Sequence, residues 1–318
     1  MIKDMLLFFA FSSGRDYNER KNGHEEERKR MKREQVALWI LAGAMILGGC
    51  GKKVTVEVPE KIESDVVMTE PEKQDPVETE QVQIEVLTAD EMYTTQAEDG
   101  TVLLASVLHY PKIRIPDAPE AEEKINQIFA AVREADDNQL EEYESWAMGH
   151  YQQVQESGEG FFTEYAMDRE YAVTYQSDRL LSIRSFTYIY TGGAHPGTVI
   201  QTWNLDLETG EDKKLMELAE EPERLQEFLN EWIQSELESR EIEEGISLVE
   251  GLFPDYQEIL AQSLQEPVWY VREGNLWIVF NEYEIAPYAA GVIEVAIPLE
   301  ELQEYWNEAG QQLLEEKQ

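Results

Sequence analysis

Ten consecutive residues, Tyr188-Ile-Tyr-Thr-Gly-Gly-Ala-His-Pro-Gly197, carry the first candidate for chemistry in this chain. Imidazole is the side chain whose ordinary titration falls between roughly pH 5 and 8, and His195 is presented in a bend. Gly192 and Gly193 permit positive φ, while Pro196 fixes its own φ and biases His195 toward extended backbone. Such a bend either turns one strand into the next, with the ring bonded to local backbone, or offers the ring to a ligand, partner or substrate. A second candidate lies downstream, where Glu282 and Glu284 bracket Tyr283. On a strand the two carboxylates share a face, an arrangement suited to acid/base work. Pro287 ends such a strand, however, and carboxylates there also cap backbone amides or face solvent. Tyr288, before Ala-Ala-Gly291, reads as a packing anchor rather than a ligand-stacking ring.

Other site chemistries find no support in the residues. His109, His150 and His195 are scattered at non-ligand spacings, so no zinc site is indicated. Asp136-Asp-Asn138 lacks the spacing and terminal glutamate of a calcium loop. Neither a Gly-x-Ser-x-Gly elbow nor a phosphate-binding glycine loop is present. The reading is of a non-enzyme with no cofactor and no metal.

The elements that must position these groups follow from periodicity. Val102 to Tyr110 predicts a strand that continues past Pro111 to Ile115. Asp117-Ala-Pro-Glu120 predicts a capped helix start, followed by Ile125, Ile128, Phe129 and Val132 at helical spacing and then Leu140, Tyr143 and Trp146, with a break at Asp136-Asp-Asn138. Alternation predicts strands at Phe161–Met167, Tyr171–Tyr175 and Phe186–Tyr190, with turns at Asp168-Arg169 and Ser177-Asp178, and a further strand over Thr198–Leu207. A meander is the simplest topology for them. Leu225, Phe228, Leu229, Trp232, Ile233 and Leu237 form one stripe of a second helix opened by Glu221-Pro222. Glu273-Gly-Asn275 predicts a hairpin, Ile293–Ile297 a strand, and Leu299, Leu302 and Trp306 a C-terminal helix. The expected class is α+β, antiparallel sheets packed by amphipathic helices in two related lobes.

The formal charge of the 318 residues is −40, from 66 acidic and 26 basic side chains. So acidic a surface argues against nucleic acid and against adsorption to anionic lipid, and leaves cationic partners open. At the N-terminus, Met31-Lys-Arg33 precedes an apolar run from Val36 to Leu47 and then Leu47-Gly-Gly-Cys50, which holds the chain's only cysteine. That order predicts a signal peptide, and Leu-Gly-Gly-Cys resembles the bacterial lipobox, whose cysteine is lipidated and becomes the new N-terminus. Residues 1–30 add only a charged tract ahead of a complete signal, so Met31 is the expected start. Seven acidic and nine basic residues precede Cys50, so the chain from Cys50 onward carries −42.

Three motifs carry a family likeness: Tyr190-Thr-Gly-Gly-Ala-His-Pro196, Asn204-Leu-Asp-Leu207 with Thr209-Gly210, and Tyr283-Glu-Ile-Ala-Pro-Tyr-Ala-Ala-Gly291. They resemble the signature of the RsiV-like domain, the extracytoplasmic sensor of an anti-sigma factor that binds lysozyme. The preceding segment resembles the PdaC-like accessory domain found beside a peptidoglycan deacetylase domain. The resemblance implies a fold, a binding role and a cationic extracellular partner such as lysozyme. It makes Tyr190, Thr191, Gly192, Gly193, Ala194, His195, Pro196, Glu284, Pro287, Tyr288 and Gly291 the candidate binding or motif positions. A lipobox stands where an anti-sigma factor has its sigma-binding segment and transmembrane helix, and the deacetylase's metal ligands have no counterpart here. Neither sigma regulation nor deacetylation is therefore implied.

The expected organisation is an extension plus signal peptide at 1–49, a lipidated cysteine and acidic disordered tether at 50–83, a PdaC-like domain at 84–190 and an RsiV-like domain at 191–318. The protein so read is a binding module, lipid-anchored to the outer face of the cell membrane. A cell-envelope enzyme acting on glycan or peptide is the alternative, and it requires the His195 bend and the Glu284 segment to converge. Mass spectrometry of the membrane fraction is expected to find lipid-modified Cys50 as the first residue and no peptide upstream of Met31. Cys50→Ala is expected to release the protein from the membrane.

Overall fold

Five strands with alternating burial form the first sheet: β1 (Glu85–Gln96), β2 (Val102–Arg114), β3 (Tyr165–Gln176), β4 (Leu180–Tyr190) and β5 (Gly197–Asp206), in the order β1-β2-β3-β4-β5. The computed structural model describes residues 84–243 and 246–314, all within the compact unit Pro76–Gln318. The expected leader, Cys50 and the tether lie outside the described residues. No described helix is long and apolar enough to cross a membrane.

β3, β4 and β5 form the expected antiparallel meander, but the sheet as a whole is not one. β2 and β3 run parallel, whereas the other neighbours are antiparallel. Parallel neighbours need a crossover, and here it is α1 (Pro119–Ser157), a single helix of 39 residues. Its buried positions, Ala121, Ile125, Phe129, Asp136, Leu140, Tyr143 and Ala147, recur every three, four or seven residues and lay one stripe on the sheet. The helix runs unbroken through Asp136-Asp-Asn138, because Asp136 belongs to that buried stripe instead of interrupting it.

The partner of Asp136 explains a second difference from expectation. Asp168-Arg169 is no turn but the interior of β3, and Arg169 points into the sheet–helix interface. Arg169 Nε donates to Asp136 Oδ2 at 2.8 Å and Nη2 to Oδ1 at 2.7 Å, the bidentate geometry of a guanidinium on a carboxylate. Tyr110 on β2 donates its hydroxyl to the same carboxylate at 2.9 Å. Arg169 Nη1 also donates to Ser185 on β4 and Gln201 on β5. Burial beside Asp136 holds the Tyr110 hydroxyl protonated far above its ordinary range. Apolar packing flanks the polar centre: Ile125, Phe129, Ile183, Trp203 and Leu205 lie toward one end, and Leu104, Leu140, Tyr143, Ala147 and Met167 toward the other.

Smaller departures have similarly local causes. The start of α1 has Ala118 as N-cap with no side-chain cap, and Glu122 instead accepts from Ile115 N at 2.6 Å. Phe161 and Thr163 precede β3, and Phe161 is exposed. The turn at Ser177-Asp178 forms as expected, with Ser177 Oγ accepting from Arg179 N and Leu180 N.

The second sheet is a three-stranded antiparallel meander of β8 (Val268–Arg272), β9 (Asn275–Phe280) and β10 (Ile293–Pro298), preceded by the short ribbon β6 (Glu241–Glu243) and β7 (Ile246–Ser247). The predicted hairpin joins β8 to β9 through Glu273 and Gly274, both at positive φ, as a two-residue type I′ turn demands. Leu225, Leu229, Ile233 and Leu237 of α2 (Pro222–Ser239) pack on this sheet, with α3 (Tyr256–Ser263) beside them. Leu299–Tyr305 forms a 3-10 helix rather than an α-helix, Trp306 bridges to Ala219, and α4 (Glu308–Leu314) follows. Both sheets are thus antiparallel-dominated layers covered by amphipathic helices, an α+β architecture.

Side chains join the sheets. Ser182 Oγ donates to Asn204 Oδ1 at 2.7 Å and accepts from Val271 N at 3.0 Å, while Asn204 Nδ2 donates to Trp269 O at 2.7 Å. Arg184 Nε meets Glu294 Oε1 at 3.1 Å.

Asp136→Ala is expected to destabilise the protein by about 3–5 kcal/mol, because it leaves the Arg169 guanidinium buried without a counter-charge. The apolar pair Asp136→Leu with Arg169→Met is expected to recover most of that loss. Urea unfolding of wild type, single and double variants checks both, and equal midpoints for single and double variants would contradict the account.

Candidate functional site

The bend at 191–196 links two antiparallel strands, because β5 pairs with β4 from Ile189↔Gly197 to Leu180↔Asp206. Tyr190 ends β4 opposite Ala166. Gly192 then takes φ +80, and a β-carbon there would lie 2.9 Å from Tyr165 Cε1 and 3.0 Å from His150 Nδ1. Two separate constraints therefore require glycine at this position: the left-handed backbone and the rings beneath it. Gly193, Ala194 and His195 form the exposed crest, with Thr191 and Pro196 half-buried on either side.

Motif residues from the second sheet come up to meet that crest. After β9, Asn281 accepts a turn-closing bond from Glu284 N at 3.1 Å, with Tyr283 at φ 65 between them. A left-handed conformation is strained for a residue with a β-carbon, at a cost of about 1–2 kcal/mol. The strain places an exposed ring: Tyr283 is 55% exposed, and its hydroxyl lies 3.1 Å from His195 Nε2. Pro287 then starts the 3-10 turn Tyr288–Ala290, closed by Gly291 at φ 66 and ψ −155, a region open essentially to glycine alone. Tyr288 stacks on His195, with ring centroids 3.7 Å apart and planes 17° from parallel. Tyr288 therefore packs against the histidine, not against Gly291.

Hydrogen bonding fixes the histidine tautomer. Pro196 O can only accept, and it lies 2.9 Å from His195 Nδ1, so Nδ1 carries a proton, and in the neutral imidazole Nε2 accepts from Tyr283. The ring is held by its own bend, by one tyrosine hydroxyl and by one tyrosine face. Among the described residues no carboxylate bonds the ring to orient it as a general base.

Glu282 and Glu284 diverge. The first accepts from Thr198 N at 3.0 Å and so holds the start of β5. The second accepts from Asn281 N at 2.8 Å and from Ser263 Oγ at 2.6 Å. The shared-face arrangement expected of a strand is lost because both lie in a tight turn. Among the described residues no group of three or more His, Cys, Asp or Glu is placed to hold a metal ion.

The candidate residues thus converge in part: His195 and Tyr288 meet, Pro287 and Gly291 shape the turn, and Glu284 faces inward. Sequence reasoning passed over Tyr283 as a contact residue, along with the His150 and Tyr165 floor under Gly192. Tyr283 lay within the quoted motif, but His150 and Tyr165 are brought there only by tertiary packing.

Residues 97–198 match the family model described as deacetylase PdaC, and residues 218–300 match that of a protein family of unknown function, DUF3298. A crystal structure of a DUF3298 family member from Bacteroides fragilis, 18% identical, aligns over 74% of this chain and 99% of its own at a TM-score of 0.59. A DUF3298 family protein from Pseudomonas aeruginosa, also 18% identical, aligns over 71% of this chain and 95% of its own at a TM-score of 0.39. No curated protein matches the chain. The first of these structures supports a shared fold, and the two family models match successive segments of the chain, the PdaC match running through the bend at 191–196.

Gly192→Ala is expected to cost about 1–3 kcal/mol, since it adds both left-handed strain and a clash with Tyr165. Gly193→Ala, whose added β-carbon meets nothing closer than His195 O at 3.8 Å, is expected to stay within about 0.5 kcal/mol of wild type. Thermal and urea unfolding of the two variants separates these outcomes.

Proposed function

We propose that this chain is a lipid-anchored, extracytoplasmic binding protein of the cell envelope, with the His195, Tyr283 and Tyr288 rings as its contact surface. The observation that carries the reading is the strained, exposed Tyr283 held against His195 by residues from two separate motifs. Large rigid rings with a polar tip supply contact area at low conformational cost and recur among residues that dominate interface energies. Left-handed strain at an exposed aromatic serves presentation better than packing, because a packed ring needs no such backbone.

Net charge favours a cationic partner. At −40, the chain attracts basic proteins over long range and speeds their encounter, in a manner screened by salt. The RsiV-like resemblance adds lysozyme as the partner to test first, without the sigma-binding part of an anti-sigma factor. Placement at the membrane surface follows from the lipobox at Cys50.

The enzymatic alternative is weaker. The two motif segments do converge, yet Glu282 and Glu284 are engaged with backbone amides and Ser263, and among the described residues no carboxylate pairs with His195. A cleft of about 300 Å³ lies along β5 and β8, and neither His195 nor Tyr283 nor Tyr288 lines it.

Calorimetric titration of lysozyme into residues 84–318 is expected to show binding at low ionic strength that weakens as salt is raised. Tyr283→Ala and Tyr288→Ala are each expected to weaken it by about 1–3 kcal/mol, with unfolding midpoints held near wild type. Absence of binding at low salt would remove lysozyme as the partner, and binding unaffected by either substitution would remove the ring cluster as its site.

A further inference from the structure

Along β5 every second residue turns its N–H and C=O away from β4, and side chains or a neighbouring loop cover these outward groups almost one by one. Thr198 N–H donates to Glu282 Oε2 at 3.0 Å. Ile200 N–H donates to Asn281 Oδ1 at 2.7 Å, and Ile200 C=O accepts from Asn281 Nδ2 at 3.1 Å. Asn204 N–H donates to Asp212 Oδ1 at 2.7 Å, and Asn204 C=O accepts from Lys213 N–H at 2.9 Å. Thr202, midway between them, has the same outward orientation. Among the described residues no side chain and no turn or loop backbone group bonds its outward N–H or C=O, and no strand is paired with β5 on that side. It opens onto a cleft of about 300 Å³ with Ile200, Met216, Val268 and Trp269 as apolar walls and Lys214 and Glu266 at the rim.

We propose that this cleft binds a short extended peptide, one residue of which pairs with Thr202 through both its N–H and its C=O. Asn281 shows the required geometry two residues away, because a primary carboxamide carries a donor and an acceptor on the same side. A trans secondary amide directs its N–H and C=O in opposite directions. The acetamido group of an amino sugar therefore satisfies only one of the two Thr202 groups. A residue in an extended strand presents both on one edge, as in strand addition to an open sheet.

The same edge limits the length of the ligand. Asn281 on one side and Asp212 with Lys213 on the other leave a window of four residue steps, about 14 Å. A long strand would be turned away at either end, whereas a tripeptide or a chain end fits. At the rim Lys214 and Glu266 pair at 2.7 Å with side chains 60% and 75% exposed. So exposed an ion pair contributes little, and the two groups are free to exchange each other for a peptide's carboxylate and ammonium ends. This site lies apart from the ring cluster and does not depend on it.

Trialanine with free termini, added to the full chain, tests the proposal. Residue-resolved amide hydrogen exchange is expected to show the Thr202 N–H slowed about tenfold or more at saturation, with those of Ile200 and Asn204 unchanged. N-acetylglucosamine is expected to leave Thr202 exchange as it was. In calorimetry, Thr202→Pro, which removes the outward donor without taking an N–H from the β4 pairing, and Gln265→Trp, which fills the exposed rim, are each expected to abolish trialanine binding. Unchanged Thr202 exchange with trialanine, equal protection by the sugar, or undiminished binding by either folded variant would overturn the proposal. Gln265 lies outside the strand, so its variant decides the matter if Thr202→Pro does not fold.

Discussion

One buried guanidinium holds the first sheet to its helix. Arg169 spends its donors on Asp136 of α1, Ser185 of β4 and Gln201 of β5, and Tyr110 of β2 completes the Asp136 carboxylate. A pair so enclosed forgoes hydration at both charges, and it survives because every strong donor and acceptor is matched. It also sets register. A one-residue slip of β3 would turn Arg169 to the opposite face and leave Asp136 alone in the apolar stripe of α1.

Register at β3 passes to β4, then to the bend and to β5. That chain of pairings carries His195 to the edge where the second sheet approaches. Asn281 and Glu282 cover the outward groups of β5, which fixes the turn holding Tyr283. The motif glycines serve the same end by different means: Gly192 because of its backbone and the rings under it, Gly291 because of its backbone alone. The ring cluster is therefore a product of edge covering, and the open position at Thr202 is the place where that covering stops.

Much of this was legible in the chain. The stripe Leu225, Leu229, Ile233 and Leu237, the Glu273-Gly274 hairpin and the strands on either side of the bend follow from periodicities of 3.6 and 2 and from turn chemistry. Two of the misread elements share one cause. Asp168-Arg169 and Asp136-Asp-Asn138 look like punctuation because charged residues usually face solvent, and local composition carries no sign that two such residues will pair with each other in the interior. At Leu299–Tyr305 the few apolar positions predict a helix without deciding its type, since they fit the 3-10 and the α spacing alike.

At the site, the sequence alone determined the constrained backbone: the glycines and proline around His195, and Pro287 with Gly291 around Tyr288. Those depend on φ and ψ preferences that belong to single residues. Only the tertiary structure decided what the constraints are for. It set His195 on Tyr288, bent Glu282 and Glu284 apart, brought His150 and Tyr165 under Gly192 and left Thr202 uncovered. Each of those outcomes joins residues far apart in the chain, and the contacts between them are fixed by the packing of whole sheets, which no local preference encodes.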